Sequence, residues 1–152
     1  MTNLERAIKD GYAHIIGEKG KQKITYVSSD NHVENYSDPE EKVRAEFWAE
    51  LIYKYEYQVN RIKIEVTVPD RLPTDRADIV VFRDDECKRP YAVVECKKDC
   101  VTDAEFNQAI EQGVGNATWV KLRADYVVII AGGTRRVLDV TDKFGALERE
   151  QN

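Results

Sequence analysis

The chain has 152 residues, a length that one domain with its own hydrophobic core accounts for. Hydrophobic residues make up 42% of it and charged residues 34%, which excludes the disordered and fibrous classes. The net charge of -5 provides no overall positive field, so a nucleic-acid role would have to rest on a local basic patch or on a partner.

The cysteines and histidines form no recognisable metal or disulfide pattern. Cys87, Cys96 and Cys100 are odd in number and lack paired spacing, and the two histidines lie far from them in sequence. The first 16 residues lack the apolar core of a signal peptide, and no later run is long enough for a membrane span. We therefore expect a cytoplasmic protein without membrane attachment.

The N-terminal segment is predicted to contain one helix and one strand. Residues 4–16 carry apolar side chains at helical spacing, and residues 23–27 read as a short strand. Residues 28–38 are polar and are predicted to form a loop. This part of the chain is expected to be an extension that precedes the main fold.

The best-marked helix covers residues 38–57. Asp38 is suited to be its N-cap, Pro39 suits the first helical position, and Glu41 stands three residues after the cap. At about 100° per residue, Glu41 and Arg44 both fall on the apolar side of this helix. Glu41 is explained as a capping-box acid, but an unpaired charge on the core side is costly, so the two residues also suggest a site that the helix closes off.

Three strands are predicted next, and two of them form a hairpin. Residues 61–68 alternate between apolar and polar side chains. Residues 77–82 and 91–96 are apolar runs separated by the turn-rich segment 83–90. This pattern predicts an antiparallel hairpin of buried strands.

A second long helix and two more strands complete the predicted fold. Residues 102–120 open with a capping-box pattern, Thr102 to Glu105, and are predicted to be helical. Residues 125–133 and 135–140 then read as strands. The order of helices and strands predicts an α/β fold with a mixed sheet.

The predicted hairpin brings two carboxylates face to face. If its strands pair symmetrically, Phe82 faces Tyr91 and Asp78 lies opposite Glu95, where like charges destabilise a sheet. Lys97, on the same face as Glu95, offsets the repulsion in part if it forms a salt bridge at the strand end. A divalent cation would offset it better, because two carboxylates and a main-chain carbonyl are hard oxygen ligands that suit magnesium.

Several segments, taken in order, resemble a known nuclease family. They are "PEEKVR" on the first long helix, "RADIVVF" and "VVECKK" on the hairpin, and a glutamine-bearing helix ahead of a strand. This set is similar to the PD-(D/E)xK nuclease fold, specifically the N-terminal nuclease domain of type I restriction enzyme R subunits. The resemblance implies a restriction-endonuclease-like fold, with a mixed β-sheet flanked by helices.

The resemblance covers about two thirds of the chain, near residues 38–140. It implies one nuclease domain over residues 1–152, with residues 1–37 as an N-terminal extension. Residues 141–152 form a tail that is a possible link to a motor domain outside this sequence.

The resemblance also implies a set of catalytic residues. Asp78 and Glu95 would hold Mg²⁺, for which Mn²⁺ can substitute, together with the main-chain carbonyl of Cys96. Lys97 would orient or activate water. Glu41 matches the acid of the first helix, which is expected to hold a second metal ion or its water.

Four further residues match DNA-binding or supporting positions in the family. Arg76 and Arg44 match positions that tend to be basic, facing phosphate or acting as supports. Gln112 matches the glutamine of the QxxxY motif, which touches DNA or braces the site. Asn116 stands where that motif has tyrosine.

The function implied by the resemblance is metal-dependent cleavage of double-stranded DNA in a type I restriction-modification system. The sequence has no Walker motif, so ATP would act only through a helicase-like motor domain, and methyltransferase and specificity subunits would be partners. Two alternatives remain open. One is a structure-selective nuclease resembling Holliday junction resolvases, and the other is a non-catalytic docking module of the same fold, which the departure at Asn116 favours.

Overall fold

The computed structural model describes residues 1–99 and 101–143, so Cys100 and most of the predicted tail lie outside the described residues. The described ranges contain three α-helices and eight strands, with a short 3-10 helix at Val59–Arg61. Their bounds are α1 Asn3–Lys9, β1 Ala13–Ile16, β2 Lys23–Tyr26, β3 His32–Asn35, α2 Pro39–Tyr53, β4 Ile62–Thr67, β5 Arg76–Phe82, β6 Pro90–Lys97, α3 Asp103–Thr118, β7 Tyr126–Ala131 and β8 Thr134–Asp139.

The strands form two sheets, and the larger one is mixed. The smaller sheet is antiparallel in the order β1-β2-β3, and the larger has the order β4-β5-β6-β7-β8. Strands β6 and β7 run parallel, whereas the other neighbours in the larger sheet are antiparallel. The connection between β6 and β7 contains α3, as a parallel pair requires. The predicted α/β fold with a mixed sheet and flanking helices is confirmed.

The apolar core lies on both faces of the larger sheet. On one face, α1, α2 and the smaller sheet pack against alternate strand residues such as Ile79 and Val94. On the other face, α3 packs against the intervening residues, such as Val80 and Val93. Burial on both faces explains why the hairpin strands read as continuous apolar runs. Among residues 1–99 and 101–143, no helix is long and apolar enough to cross a bilayer.

Both long helices begin where the sequence predicts. The Asp38 side chain caps α2 by accepting from the Glu40 amide, and Pro39 occupies the first turn. Thr102 and Glu105 form a reciprocal capping box at the start of α3. The helix α2 ends at Tyr53 rather than at residue 57. The backbone leaves the right-handed helical region soon afterwards, because Glu56 has a left-handed φ of +60°.

The prediction for the N-terminal segment was wrong in two places. The helix predicted over residues 4–16 ends at Lys9, because Gly11 takes a left-handed conformation with a φ of +85° and turns the chain into β1. The loop predicted over residues 28–38 contains strand β3. The side chains of β3 alternate between exposed and half-buried, and a polar edge strand of this kind lacks the apolar alternation that marks a strand.

The predicted register of the β5–β6 hairpin is confirmed over three pairs and fails at its turn end. Ile79 pairs with Val94, Val80 with Val93 and Val81 with Ala92, as symmetric pairing requires. Phe82, however, pairs with Pro90 instead of Tyr91, because the register shifts between residues 81 and 82. The bulge lies at the turn, so it leaves the opposite end of the hairpin in the predicted register.

Candidate active site

Asp78 and Glu95 meet at the end of the hairpin that lies away from the turn. Continuing the ladder by one step from the Ile79–Val94 pair places Asp78 opposite Glu95. The Cys96 amide donates a 2.7 Å hydrogen bond to Asp78 Oδ2, which fixes this carboxylate against the neighbouring strand. Regular strand pairing therefore positions both acids on one face of the sheet.

Burial makes both carboxylates harder to ionise, and the charge of Asp78 adds to this effect at Glu95. Glu95 is only 1% exposed, and burial, followed by the nearby charge of Asp78, raises the pKa of Glu95 well above its usual range. Burial also raises the pKa of Asp78, although the Cys96 amide and the charges of Arg44 and Lys97 act to lower it. The pair is therefore a place where an added cation would be stabilised.

Helix α3 packs closely against Glu95. Asn116 is fully buried, and its Nδ2 lies 3.5 Å from Glu95 Oε1. Gly113 lies one turn earlier, where an added Cβ would stand 2.6 Å from Val127 Cγ1 and 3.3 Å from Glu95 Cγ. Only a glycine lets the helix approach the sheet this closely.

Gln112 and Asn116, which the family resemblance singled out, contact the loop between β4 and β5. Gln112 Nε2 donates to Asp75 Oδ1 at 3.2 Å. The Asn116 Oδ1 accepts a hydrogen bond from Arg71. Asn116 thus touches a predicted metal ligand, whereas the described bond of Gln112 goes to the loop.

Lys97 lines a cleft next to α3 together with Glu40, which also lines the neighbouring cleft that contains Asp78. The Lys97 side chain is 30% exposed, and its Nζ is 3.9 Å from Glu40 Oε1. The Lys97 charge acts to lower the pKa of both Asp78 and Glu95. Burial raises the pKa of Glu40, while the Lys97 charge opposes that shift. The charge of Lys97 therefore acts on three carboxylates, those of Glu40, Asp78 and Glu95.

Glu41 is buried as its helical phase predicts, and both its oxygens are occupied by protein donors. Arg44 donates from Nε to Oε2 at 3.0 Å and from Nη2 to Oε1 at 2.5 Å. The Tyr26 hydroxyl donates to Oε2 at 2.5 Å. In this arrangement Glu41 is the partner of Arg44, and its expected part in holding a second metal ion or its water stays a prediction.

Arg44 is surrounded by carboxylates from several elements. Beyond Glu41, its guanidinium lies 2.8 Å from Glu65, 3.6 Å from Glu34 and 3.9 Å from Asp78. Burial alone would lower the pKa of Arg44, but its hydrogen bonds and charge interactions with Glu41 and Glu65 raise it above the ordinary value. The Arg44 cluster, defined as Arg44 with Glu34, Glu41 and Glu65, thus adjoins Asp78.

Glu65 reaches this cluster through an unusual backbone conformation. Its φ is +56°, in the left-handed region that few residues other than glycine adopt. The chain changes face at this residue. Ile64, which precedes it, packs in the core on the α2 side of the sheet, whereas Val66 and Val68, which follow it, pack in the core on the α3 side. Backbone strain of this kind is concentrated at functional sites.

Several residues at this site were not predicted from the sequence. Glu40, Glu65, Tyr26 and Arg71 all contact predicted site residues. Glu65 had a usable signal, because a symmetric β4–β5 register sets it opposite residue 78. Arg71 had none, since irregular loops have no periodicity that indicates where a side chain points. Arg76, which was predicted, is 64% exposed and lies 3.7 Å from the carboxylate of Glu65.

The donor set at the hairpin fits a magnesium ion. In the described part of the chain, no three His, Cys, Asp or Glu side chains group as a ready-made metal site. Mg²⁺, however, is commonly held by one or two carboxylates, with water and substrate phosphates as its other ligands. Asp78, Glu95 and the Cys96 carbonyl supply suitable oxygens. An open cleft of about 190 Å³, lined in part by Asp78 and Cys96, leaves room for several waters.

Comparison with known proteins gives a family match over most of the site. The search of curated proteins returned no match. The family described as type I restriction enzyme R protein N terminus (HSDR_N) matches residues 39–149, which include the helix, the hairpin and the α3 segment described above. This match supports a role in a restriction system and suggests a nuclease. The chain belongs to the type I restriction enzyme R protein N-terminal family.

Proposed function

We propose that this chain is a Mg²⁺-dependent endonuclease domain that hydrolyses phosphodiester bonds of double-stranded DNA. The observation that carries the proposal is the pairing of a buried carboxylate, Glu95, with a half-buried one, Asp78, beside Lys97 in a member of the R-subunit family. Burial raises the pKa of both acids, whereas a structural ion pair lowers the pKa of its acid, and Asp78 lines an open cleft.

Asp78, Glu95 and the Cys96 carbonyl would hold the ion in this proposal. A bound Mg²⁺ supplies Lewis acidity toward the phosphate and makes water a better nucleophile. The Cys96 amide keeps Asp78 oriented, and Asn116 does the same for Glu95. Binding of a cation removes the repulsion between the two acids, so ligand binding also stabilises the fold.

Lys97 would hold the scissile phosphate and direct water toward it. Its ammonium group is partly exposed, so it can reach a substrate while its charge favours the ionised forms of Asp78 and Glu95. Lys97 and Lys98 also line a cleft of about 340 Å³ next to α3. Glu40 and Glu105 line the same cleft, so the two ammonium groups offer local contacts for phosphate rather than a net positive surface.

Glu41 would serve the site in one of two ways. In the arrangement described, it orients Arg44, whose guanidinium lies 3.9 Å from Asp78. To hold a second metal ion or its water, it would have to release Arg44 or Tyr26, which together occupy both its oxygens. Arg44 is the support in this proposal, and Arg76 and Gln112 are the residues that face DNA.

The R-subunit family supports partnership with other subunits of a restriction-modification system. We propose that a helicase-like motor domain supplies ATP-driven translocation and that methyltransferase and specificity subunits select the DNA, in the cytoplasm. The acidic balance of the chain is consistent with a nuclease domain that relies on partners for much of its hold on DNA.

The first test measures metal binding separately from DNA cleavage. We expect Mn²⁺ titrated into the apo protein in a calorimeter to bind, and binding to be lost in Asp78→Ala and Glu95→Ala. Asp85→Ala is the matched control, because Asp85 lies on the same hairpin but pairs with Arg61 at 2.8 Å and is exposed. Loss of binding in the control as well would point to a general folding defect.

The second test measures cleavage of plasmid DNA in Mg²⁺ by the chain with its partner subunits. Asp78→Ala, Glu95→Ala and Lys97→Ala should each abolish cutting, while Lys97→Ala keeps its fold. Full activity in any of the three would contradict the assignment. If the wild-type chain neither binds Mn²⁺ nor cuts DNA, the non-catalytic docking module becomes the better account.

A further inference from the structure

The loop between β4 and β5 reaches the predicted metal ligands through one side chain. Arg71, in this loop, donates a hydrogen bond to Asn116 Oδ1. Asn116 Nδ2 in turn lies 3.5 Å from Glu95 Oε1. Asn116 is fully buried and Arg71 is half-buried, so a continuous chain of contacts leads from the loop to the carboxylate.

The direction of these contacts follows from hydrogen-bond chemistry. An asparagine amide has one accepting end and one donating end, whereas a guanidinium group can only donate. With Arg71 on its oxygen, Asn116 must turn its NH₂ group toward Glu95. The opposite orientation would set the amide oxygen against a carboxylate and leave two donors facing each other. Arg71 therefore determines which end of the Asn116 amide faces Glu95.

The α3 backbone leaves room for this arrangement. An added Cβ on Gly115 would lie 2.7 Å from Arg71 Nη2, and one on Gly113 would lie 3.3 Å from Glu95 Cγ. A glycine inside a helix costs roughly 0.5 to 1 kcal/mol relative to alanine. Two glycines within three residues of α3 are thus unfavourable for the helix itself, and each adjoins one end of the Arg71–Asn116–Glu95 contacts.

The loop that carries Arg71 is tied to α3 and to the residues that follow it. Trp119 Nε1 donates to the Pro69 carbonyl at 2.7 Å, and Lys121 forms an ion pair with Asp70. Gln112 contacts Asp75 at the far end of the loop. These ties hold Arg71 in place before any ligand binds, which lowers the entropy lost when Glu95 takes up a metal ion.

We propose that Arg71 is a positioning residue, which acts through Asn116 to hold the Glu95 carboxylate in its metal-binding orientation. This inference rests on the proposed metal-dependent function. It assigns a role to a loop arginine that does not itself touch the metal ligands. It also accounts for the asparagine at position 116, because asparagine can accept from Arg71 and donate to Glu95 at the same time.

The test is a Mn²⁺ titration of the full chain by calorimetry. We expect Arg71→Ala and Asn116→Ala each to weaken Mn²⁺ binding by roughly 10-fold to 100-fold, as is typical when the hydrogen-bond partner of a metal ligand is removed. The double variant should bind no more weakly than Asn116→Ala alone, because both changes break the same chain of contacts. Guanidinium ion added to Arg71→Ala should restore part of the affinity, which a purely structural role of Arg71 would not produce.

The matched control is Lys121→Ala. It removes the ion pair with Asp70, on the same loop, without touching Asn116, and should leave Mn²⁺ affinity within twofold of wild type. Arg71→Lys, which keeps the charge but loses the guanidinium geometry, replaces Arg71→Ala if the latter fails to fold. The role of Arg71 would be overturned by wild-type Mn²⁺ affinity in a folded Arg71 variant. It would also be overturned if the losses of affinity added up in the double variant. Neither result would contradict the proposed function itself. If wild type binds no Mn²⁺, the proposed function fails and this inference fails with it.

Discussion

Two adjoining acidic regions of this protein differ in how their charge is balanced. The Arg44 cluster places Glu34, Glu41 and Glu65 around a guanidinium that is 5% exposed. A few ångströms away, Asp78 and Glu95 face each other. None of the hydrogen bonds described for these two carboxylates comes from a guanidinium or ammonium group. Burial is comparable in the two regions, but the opposing charge is not.

The difference shows what buried carboxylates need. A buried charge is tolerated when it is paired and hydrogen-bonded, and Glu41 meets that condition through Arg44 and Tyr26. Glu95 has one long contact with Asn116 and a raised pKa instead. The first region is thus stabilised within the chain, and we infer that the second is stabilised by a cation from solution.

The largest effect is expected when the balanced region is broken. Arg44→Ala would leave the buried Glu41 without a cation and Glu65 with only the exposed Arg76, and removing one partner of a buried ion pair costs about 3 to 5 kcal/mol. Urea denaturation of the apo protein measures this change in the free energy of unfolding. Arg76→Ala is the control: Arg76 also lies near Glu65 but is mostly exposed, so its loss should cost under about 0.5 kcal/mol.

The Arg44 prediction fails if both arginine variants lose the same stability, since burial would then have no bearing on the pair. A second variant separates charge from packing. Adding Glu41→Gln to Arg44→Ala should recover part of the lost stability, because it removes the carboxylate charge that loses its cation when Arg44 is replaced. A further loss in the double variant would indicate that Arg44 stabilises the helix through packing alone.

Much of this comparison could be predicted from the sequence, because strands and helices have fixed periods. The two-residue repeat of a β-strand, together with the hairpin register, predicted that Asp78, Glu95 and Lys97 share one face of the sheet. The repeat of 3.6 residues per helical turn predicted that Glu41 and Arg44 lie on the core side of α2. Caps at Asp38 and Thr102 fixed where both long helices begin. Each of these predictions depends only on residues close in sequence or on one hairpin.

What could not be predicted depends on contacts between distant segments. That Arg44 binds Glu41 and Glu65 rather than a phosphate follows from the packing of β4 and its left-handed residue 65. The hydrogen bond from Tyr26 to Glu41 joins strand β2 to α2. Strand β2 lies in the N-terminal segment, whose helix and loop were predicted wrongly. The family resemblance covered neither contact, because Tyr26 lies before the matched residues and Glu65 is not part of its motifs.

A smaller effect is expected when the unbalanced region is relieved. Asp78→Asn keeps an oxygen that can accept from the Cys96 amide but removes one of the two facing charges. We expect the apo protein to gain on the order of 1 kcal/mol at neutral pH. Thermal or urea denaturation in a chelator measures it. Unchanged or lower stability would mean that Lys97 and Arg44 already offset the charge of Asp78.

The pH dependence of the apo protein tests the same repulsion. Folding raises the pKa of Asp78 and Glu95 above the ordinary carboxyl values of about 4, so in the interval above those values the folded protein binds more protons than the unfolded chain. These two groups therefore contribute stability at low pH that is lost as pH rises through their folded-state pKa values. Asp78→Asn should flatten that decline, as should saturating Mn²⁺. A decline as steep in the variant as in wild type would contradict the prediction.

The smallest effect is expected at Glu40, which lies between the two regions. Its carboxylate is 3.9 Å from Lys97, and both side chains are partly exposed, so the pair is worth about 0 to 1 kcal/mol. Glu40→Gln should therefore change the free energy of unfolding by under about 0.5 kcal/mol. Lys97→Ala should cost more at pH 8 than at pH 5, because Lys97 also opposes the charges of Asp78 and Glu95, whose ionised fraction grows with pH.

The pair of variants decides to which region Lys97 belongs. If the loss in Lys97→Ala exceeds that in Glu40→Gln and grows with pH, the main electrostatic partners of Lys97 are the facing carboxylates. Equal and pH-independent losses would instead make Lys97 a surface partner of Glu40. A lysine whose charge acts mainly on Asp78 and Glu95 is held beside the proposed metal site, which is the position that the proposed role of Lys97 requires.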